Sequence, residues 1–213
     1  MSRSTVFCAD AVGRAISLLR RYRWPSEEEA ERLHLAAGGR GGLNKAFPWD
    51  PAIGSQTLLE PGDKAPAFEL PDQNGDLVKL SDLLGSQTVV LYFYPRADTP
   101  GCTTQACGVR DRDAEYRAAG ARVIGVSPDE VGAVKKFAEK FDLDFTLLAD
   151  ADHTVAEAYG AWGEKSMYGK KYMGVQRATF LIDPAGKIAR VFPKVSPKTH
   201  DDVVLAALVE VSQ

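Results

Sequence analysis

The 213-residue sequence predicts an α/β fold, a central mixed sheet flanked by helices on both faces. Three observations carry that prediction. Apolar, β-branched runs such as Thr88–Tyr94 and Arg122–Ser127 read as strands buried on both sides. Helical patterns alternate with them, as in parallel βαβ units. A last pair of apolar runs flanks Asp183-Pro184-Ala185-Gly186, a turn signal that adds an antiparallel edge.

Taken in order, residues 1–57 read as an N-terminal extension and 58–213 as the folded domain. Val12, Ile16 and Leu19 recur at helical spacing among Arg14, Arg20, Arg21 and Arg23, a short basic amphipathic helix. Trp24-Pro25 ends it, because a residue before proline is pushed out of the α region. Ser26 caps a second helix with Glu27, Glu28 and Glu29 in its first turn. Gly38-Gly39-Arg40-Gly41-Gly42 stops that helix, and no apolar period follows up to Thr57. The extension is therefore expected to be partly disordered. Its Arg-rich start resembles an organellar presequence, but acids at 27–31 follow too closely, which favours a solvated helix. No methionine falls between Met1 and Met167, so a shorter product would need a non-Met start, for instance near Leu58.

The domain then becomes regular. Phe68–Leu70 and Leu77–Leu80 flank a turn-rich segment and read as a hairpin. Ser81 caps a short helix stopped by Gly85. Thr88–Tyr94 is the central strand, Pro95–Gly101 a loop, and Cys102–Ala119 a helix closed by Gly120. A second buried strand spans Arg122–Ser127. Pro128 opens a helix over Asp129–Phe141. Phe145–Leu148 is a strand and Ala151–Tyr159 a helix. Residues 160–176, with four glycines, read as a long mobile loop. Ala178–Ile182 and Lys187–Phe192 form the second hairpin, and Asp201–Ser212 closes the fold with Val204, Leu205, Leu208 and Val211 on one helical face.

Composition excludes several classes of protein. No stretch approaches the ~20 apolar residues of a membrane span. Three cysteines cannot build a disulfide-rich secreted scaffold. A net charge of −3 argues against a dedicated nucleic-acid binder. Glycines do not follow a strand and open a helix, so no dinucleotide fingerprint is present.

The chemistry concentrates in Tyr94-Pro95-Arg96-Ala97-Asp98-Thr99-Pro100-Gly101-Cys102-Thr103-Thr104-Gln105-Ala106-Cys107. A buried strand runs into a loop, and a cysteine opens the next helix, at the strand end where α/β sheets bind ligands. Helix N-termini offer free N–H groups and a positive dipole end, which favour thiolate over thiol. Position alone leaves Cys102 evenly weighed between a nucleophile and a small buried side chain. Cys107 lies five residues on. On one helix the two Cα atoms stand about 8–9 Å apart, beyond the ~7 Å that a disulfide spans. The pair is thus not a static staple; if the two react, the first helical turns unwind. Two unrelated helical cysteines remain the plain alternative.

Pro95, Thr99 and Cys102 match the Pro-x-x-x-Thr-x-x-Cys signature, and from Leu58 onward the chain resembles the peroxiredoxins. Ala106-Cys107 is similar to the bacterioferritin-comigratory, or peroxiredoxin Q, subgroup. Leu70-Pro71-Asp72, Trp162-Gly163-Glu164-Lys165 and Phe180-Leu181-Ile182-Asp183 extend the resemblance in order. It implies a thioredoxin-like fold and a peroxidase for hydrogen peroxide and organic hydroperoxides. Cys102 corresponds to the peroxidatic cysteine and Cys107 to the resolving one, joined as an intramolecular disulfide. Thr99 matches the threonine that contacts thiolate and peroxide, Pro95 the proline that shields the site, and Arg177 the active-site arginine. The resemblance also implies recycling by thioredoxin or a similar dithiol, a cytoplasmic monomer, and no metal, haem or flavin cofactor.

Other readings stand beside this one. Thr99 also fits a plain N-cap, and Arg177 alone reads as a strand-edge charge. Arg96 and Arg110 read as solvated, and Cys8 as a bystander. His34, His153 and His200 have no Cys or Ser partner in sequence, the latter two sitting at helix starts. Trp162, Tyr168 and Tyr172 among Lys165, Lys170 and Lys171 suggest a nucleic-acid surface less well than a loop over the active site. A general thiol–disulfide oxidoreductase lacks its usual Cys-x-x-Cys spacing here, and a redox-sensing chaperone is the third function considered.

Overall fold

A computed structural model describes residues 58–167 and 170–211. The helices expected before Thr57, together with Cys8, His34 and Tyr168, lie outside the described residues. A two-stranded ribbon comes first, β1 (Glu69–Pro71) paired antiparallel with β2 (Leu77–Lys79), followed by α1 (Leu80–Leu83). The central sheet has the order β5-β4-β3-β8-β9: β3 (Thr88–Phe93), β4 (Ala121–Ser127), β5 (Thr146–Ala149), β8 (Ala178–Ile182) and β9 (Ile188–Phe192). β3, β4 and β5 run parallel, and β8 and β9 add antiparallel. Between these strands lie α2 (Pro100–Asp111), α3 (Asp113–Ala118), α4 (Val131–Phe141) and α5 (Thr154–Ala158), then the β6 (Trp162–Met167)–β7 (Lys170–Val175) ribbon, and α6 (His200–Val211) closes the chain.

Strand alternation divides the core. Every residue of β3 is buried. Val90 and Tyr92 face one layer, with Val123, Leu147 and Leu181, against Val109 of α2, Phe137 of α4 and Leu208 of α6. Val89, Leu91 and Phe93 face the other, with Ile124, Leu148 and Phe180, against Phe68, Leu83 and Tyr159. Burying a side chain of this size contributes roughly 1.5–3 kcal/mol, so the doubly covered strand is firmly held. It is also the one that delivers the chain to Pro95. Gly125 on β4 marks a close approach: a Cβ there would stand 2.7 Å from the Tyr92 hydroxyl and from Leu147 Cδ2.

Four expectations change. The helix expected over Cys102–Ala119 breaks at Arg112 (φ −116°, ψ 14°) into α2 and α3. Arg112 holds the corner by donating Nε and Nη2 to the Glu115 carboxylate at 2.9 and 2.8 Å and Nη1 to Asp202 at 2.5 Å. α4 starts at Val131 rather than Asp129, because Glu130 is still extended (φ −66°, ψ 151°); the Asp129 carboxylate accepts the Ala97 N–H at 2.7 Å. Ser81 does not cap α1: the helix already begins at Leu80, and the hydroxyl donates to Asp82. Within the expected loop, residues 162–167 and 170–175 pair as a two-stranded ribbon. Glu164 pairs with Lys171 (2.9 Å), and Trp162 stacks on His153 with ring centroids 4.0 Å apart. Its glycines disguise the strand period because Gly163 makes room for a neighbour: a Cβ there would meet Gln176 Nε2 at 2.6 Å.

Candidate active site

Tyr94 extends the parallel ladder by one bond, its N–H donating to the Val126 carbonyl at 3.0 Å. The chain then leaves the sheet through a half-buried Pro95. Asp98 takes a left-handed backbone (φ 55°), and both of its carboxylate oxygens accept from Lys140 Nζ of α4, at 2.9 and 2.7 Å. With the Asp129–Ala97 bond, these contacts tether the loop to both ends of the β4–α4 crossover. Thr99 turns the loop into α2 with extended backbone (φ −101°, ψ 149°), and its carbonyl accepts the Thr103 N–H at 2.8 Å. Its hydroxyl does not cap the helix. It donates to the Arg96 carbonyl at 3.1 Å. Pro100 occupies the first helical position, where no N–H is missed.

Cys102 is therefore the third residue of α2. It is 2% exposed and carries a free thiol. Arg177, in the two-residue link between β7 and β8, donates Nη2 to its sulfur at 3.3 Å. Arg177 Nη1 donates to the Gln105 side-chain carbonyl, one helical turn after Cys102. Gln105 is fully buried, and its Nε2 has no hydrogen-bond partner among the described residues. The guanidinium lies over the start of α2: a Cβ on Gly101 would stand 3.6 Å from Arg177 Nη2 and 3.5 Å from Pro197 Cγ. The third element is Lys165 of β6. Its ammonium donates to the Val175 carbonyl at 2.8 Å. Burial, then Arg177, hold this amine below the usual lysine range, and Cys102 opposes them.

Cys107 lies further along α2, half-buried and free. The two cysteines share one unbroken helix. Beneath α2 runs a buried polar chain. Thr179 of β8 meets His200 Nε2 at 3.1 Å, His200 Nδ1 meets Asp201 at 3.2 Å, and Asp201 accepts from the Tyr116 hydroxyl at 2.8 Å. Burial first, then Asp201, push the Tyr116 phenol up. α2 crosses this chain at Gly108, where a Cβ would stand 2.3 Å from Asp201 Oδ2.

The structure thus brings Cys102, Arg177 and the α2 N-terminus together, with Thr99 and Pro95 on the loop that leads in. Sequence reasoning missed Gln105, although three residues after Cys102 it shares that helical face. It also missed Asp129 and Lys140, which come from elements distant in sequence, and it placed Lys165 only on a loop over the active site, without its bond to Val175. His153 and His200 do start α5 and α6, as expected, but His200 is fully buried in the polar chain.

A cysteine at the start of the helix after a parallel central strand, faced by an arginine from the antiparallel half of the sheet, defines a thiol-based oxidoreductase of thioredoxin-like fold. Residues 61–191 match the AhpC/TSA family. The chain is 53% identical over 152 residues to peroxiredoxin Bcp of Escherichia coli, covering 71% of this chain and 97% of that protein. Among solved structures it is similar to peroxidoxin BcpB of Mycobacterium tuberculosis, with TM-score 0.64 and 42% identity over 71% of this chain and 97% of that one. The Xanthomonas campestris bacterioferritin comigratory protein, whose trapped intermediate and ligand complexes address its alkyl peroxide reduction, matches at TM-score 0.65 and 36% identity, covering 68% and 92%. The chain belongs to the AhpC/TSA family, among the Bcp peroxiredoxins, and its activity is that of a thiol peroxidase.

Proposed function

We propose that Cys102 is the peroxidatic cysteine and Cys107 its resolving partner, in a peroxidase domain spanning residues 58–213 behind an N-terminal extension. The observation that carries this reading is the buried Cys102 sulfur at the start of α2 with Arg177 Nη2 3.3 Å away. The Cys102 thiolate attacks one peroxide oxygen. An S–O bond forms, the O–O bond breaks, and the other oxygen leaves as hydroxide or alkoxide and takes up a proton. Arg177 and the first N–H groups of α2 face the developing negative charge. Thr99 and Pro95 shape the approach, the threonine hydroxyl turning from Arg96 toward the substrate.

The Cys102 sulfenic acid then condenses with the Cys107 thiol, releasing water and forming the disulfide. The helical separation of about 8–9 Å requires α2 to unwind for this step. A dithiol protein of the thioredoxin type reopens the disulfide and is itself oxidised. Hydrogen peroxide and alkyl hydroperoxides are the substrates, the latter supported by the activity described for the Xanthomonas campestris relative. An intramolecular disulfide needs no second subunit, so the enzyme works as a monomer. The cytoplasm, where thiols are kept reduced, suits the cycle. Replacing Cys102 with Ser tests the assignment: peroxide consumption disappears, and retained consumption would overturn it.

A further inference from the structure

We propose that Lys165 is a positioning residue for peroxide reduction: it fixes the strand end that carries Arg177 and holds a second positive charge on the Cys102 side of that link. The inference rests on the reading that Cys102 and Arg177 perform the chemistry.

Lys165 sits on β6 opposite Tyr172 of β7. Its side chain leaves that pair and runs along the ribbon past Gly174, where a Cβ would stand 3.5 Å from Lys165 Cδ. It ends at the carbonyl of Val175, the last residue of β7, at 2.8 Å. Val175 is 1% exposed. The next residue is held as well: Gln176 donates its N–H to Ala161 at 2.6 Å, and its side-chain amide packs over Gly163. Arg177 follows, with its guanidinium on Cys102 and Gln105. The link from ribbon to sheet is thus pinned at two successive residues immediately before the arginine.

The electrostatics run the same way. A half-buried ammonium facing a neutral carbonyl gains little and loses hydration. Its neighbour Arg177 repels it, and a Cys102 thiolate favours it. The repulsion between these two cations stands unopposed while sulfur is neutral. It is relieved as thiolate forms and as the leaving oxygen gathers charge, the condition for transition-state stabilisation. Lys165 touches neither reacting atom, so its effect passes through Arg177 and through the field at sulfur.

The test uses the full chain, with stopped-flow oxidation of Cys102 by hydrogen peroxide in the K165M, K165R and K165Q variants beside the wild type. K165M keeps the aliphatic stem and removes charge and donor. Its rate constant is expected to fall about tenfold, less than the 10²–10³ of a donor in direct contact. K165R restores the charge and recovers most of the rate. K165Q keeps a neutral donor and is slowed like K165M, which preserves the test should K165M fail to fold. Neutral variants within about twofold of wild type would overturn the inference, as would K165R as slow as the neutral variants. A wild-type chain whose Cys102 does not react would instead overturn the reading beneath it.

Discussion

Arg177 holds Cys102 and Gln105 at once, one guanidinium nitrogen on the sulfur and the other on the amide carbonyl a helical turn later. The arrangement ties an arginine from the antiparallel half of the sheet to the first turn of α2. Its position therefore depends on a buried amide that is only half satisfied. Removing Gln105 deprives Arg177 of an acceptor, but also removes the stranded Nε2, whose burial costs about 1–3 kcal/mol. Gln105→Leu is accordingly expected to melt close to wild type while reacting with peroxide about tenfold more slowly. Thermal unfolding and stopped-flow kinetics on one preparation check both halves.

Under the proposed assignment, the Cys102–Cys107 disulfide requires α2 to come apart, and the loop tethers are expected to oppose it. Asp129→Ala frees the Ala97 N–H, and Lys140→Ala releases Asp98. The Lys140 pair is solvent-exposed, so it contributes at most about 1 kcal/mol. The Asp129 bond is partly buried, and a charge-assisted bond of this kind contributes roughly 1.5–3 kcal/mol. Asp129→Ala is therefore expected to form the disulfide faster and resist over-oxidation better, with a smaller change for Lys140→Ala. Sulfinic acid accumulation per turnover, followed by mass spectrometry, checks the order.

Cys107→Ser is expected to leave sulfenic acid formation intact and to stop recycling by the dithiol reductant. The sulfenic acid then persists and is driven to sulfinic acid by further peroxide. One equivalent of peroxide consumed rapidly, then only slow over-oxidation, with no reductant oxidised in a coupled thioredoxin assay, is the expected result.

At the α2–α3 corner, Arg112 hydrogen-bonds Glu115 and holds its carboxyl below the ordinary glutamate value of 4.5. A lowered folded-state value means stability that is present above 4.5 and is lost as pH falls through the folded value. In Arg112→Ala that acid-linked loss shrinks, and the stability curve flattens below pH 4.5. Urea titrations across that range measure it. Gly108→Ala meets Asp201 Oδ2 in the same region and is expected to destabilise by roughly 1–3 kcal/mol.

The sequence made the sheet legible because β3, β4 and β8 are continuous apolar runs, whose period does not depend on neighbours. It exposed Cys102 because a strand, a loop with Pro95 and Thr99, and a helix start follow one another without interruption. The β6–β7 ribbon was hidden: its glycines serve packing against Gln176 and Lys165, so they mimic a loop in one dimension. The break at Arg112 was hidden for a different reason. Nothing local interrupts the helical pattern there, and the partner that fixes the corner, Asp202, lies 90 residues away. Gln105, Asp129, Lys140 and Lys165 belong to the same class, polar residues whose roles come from chain crossings.

The most direct measurement is the mass of the tryptic peptide spanning residues 97–110, which carries both Cys102 and Cys107, after one equivalent of peroxide and alkylation. A loss of two hydrogens with neither cysteine alkylated is predicted. Full alkylation of both cysteines in the peroxide-treated protein, or an oxidised Cys102 beside a freely alkylated Cys107, would contradict the account.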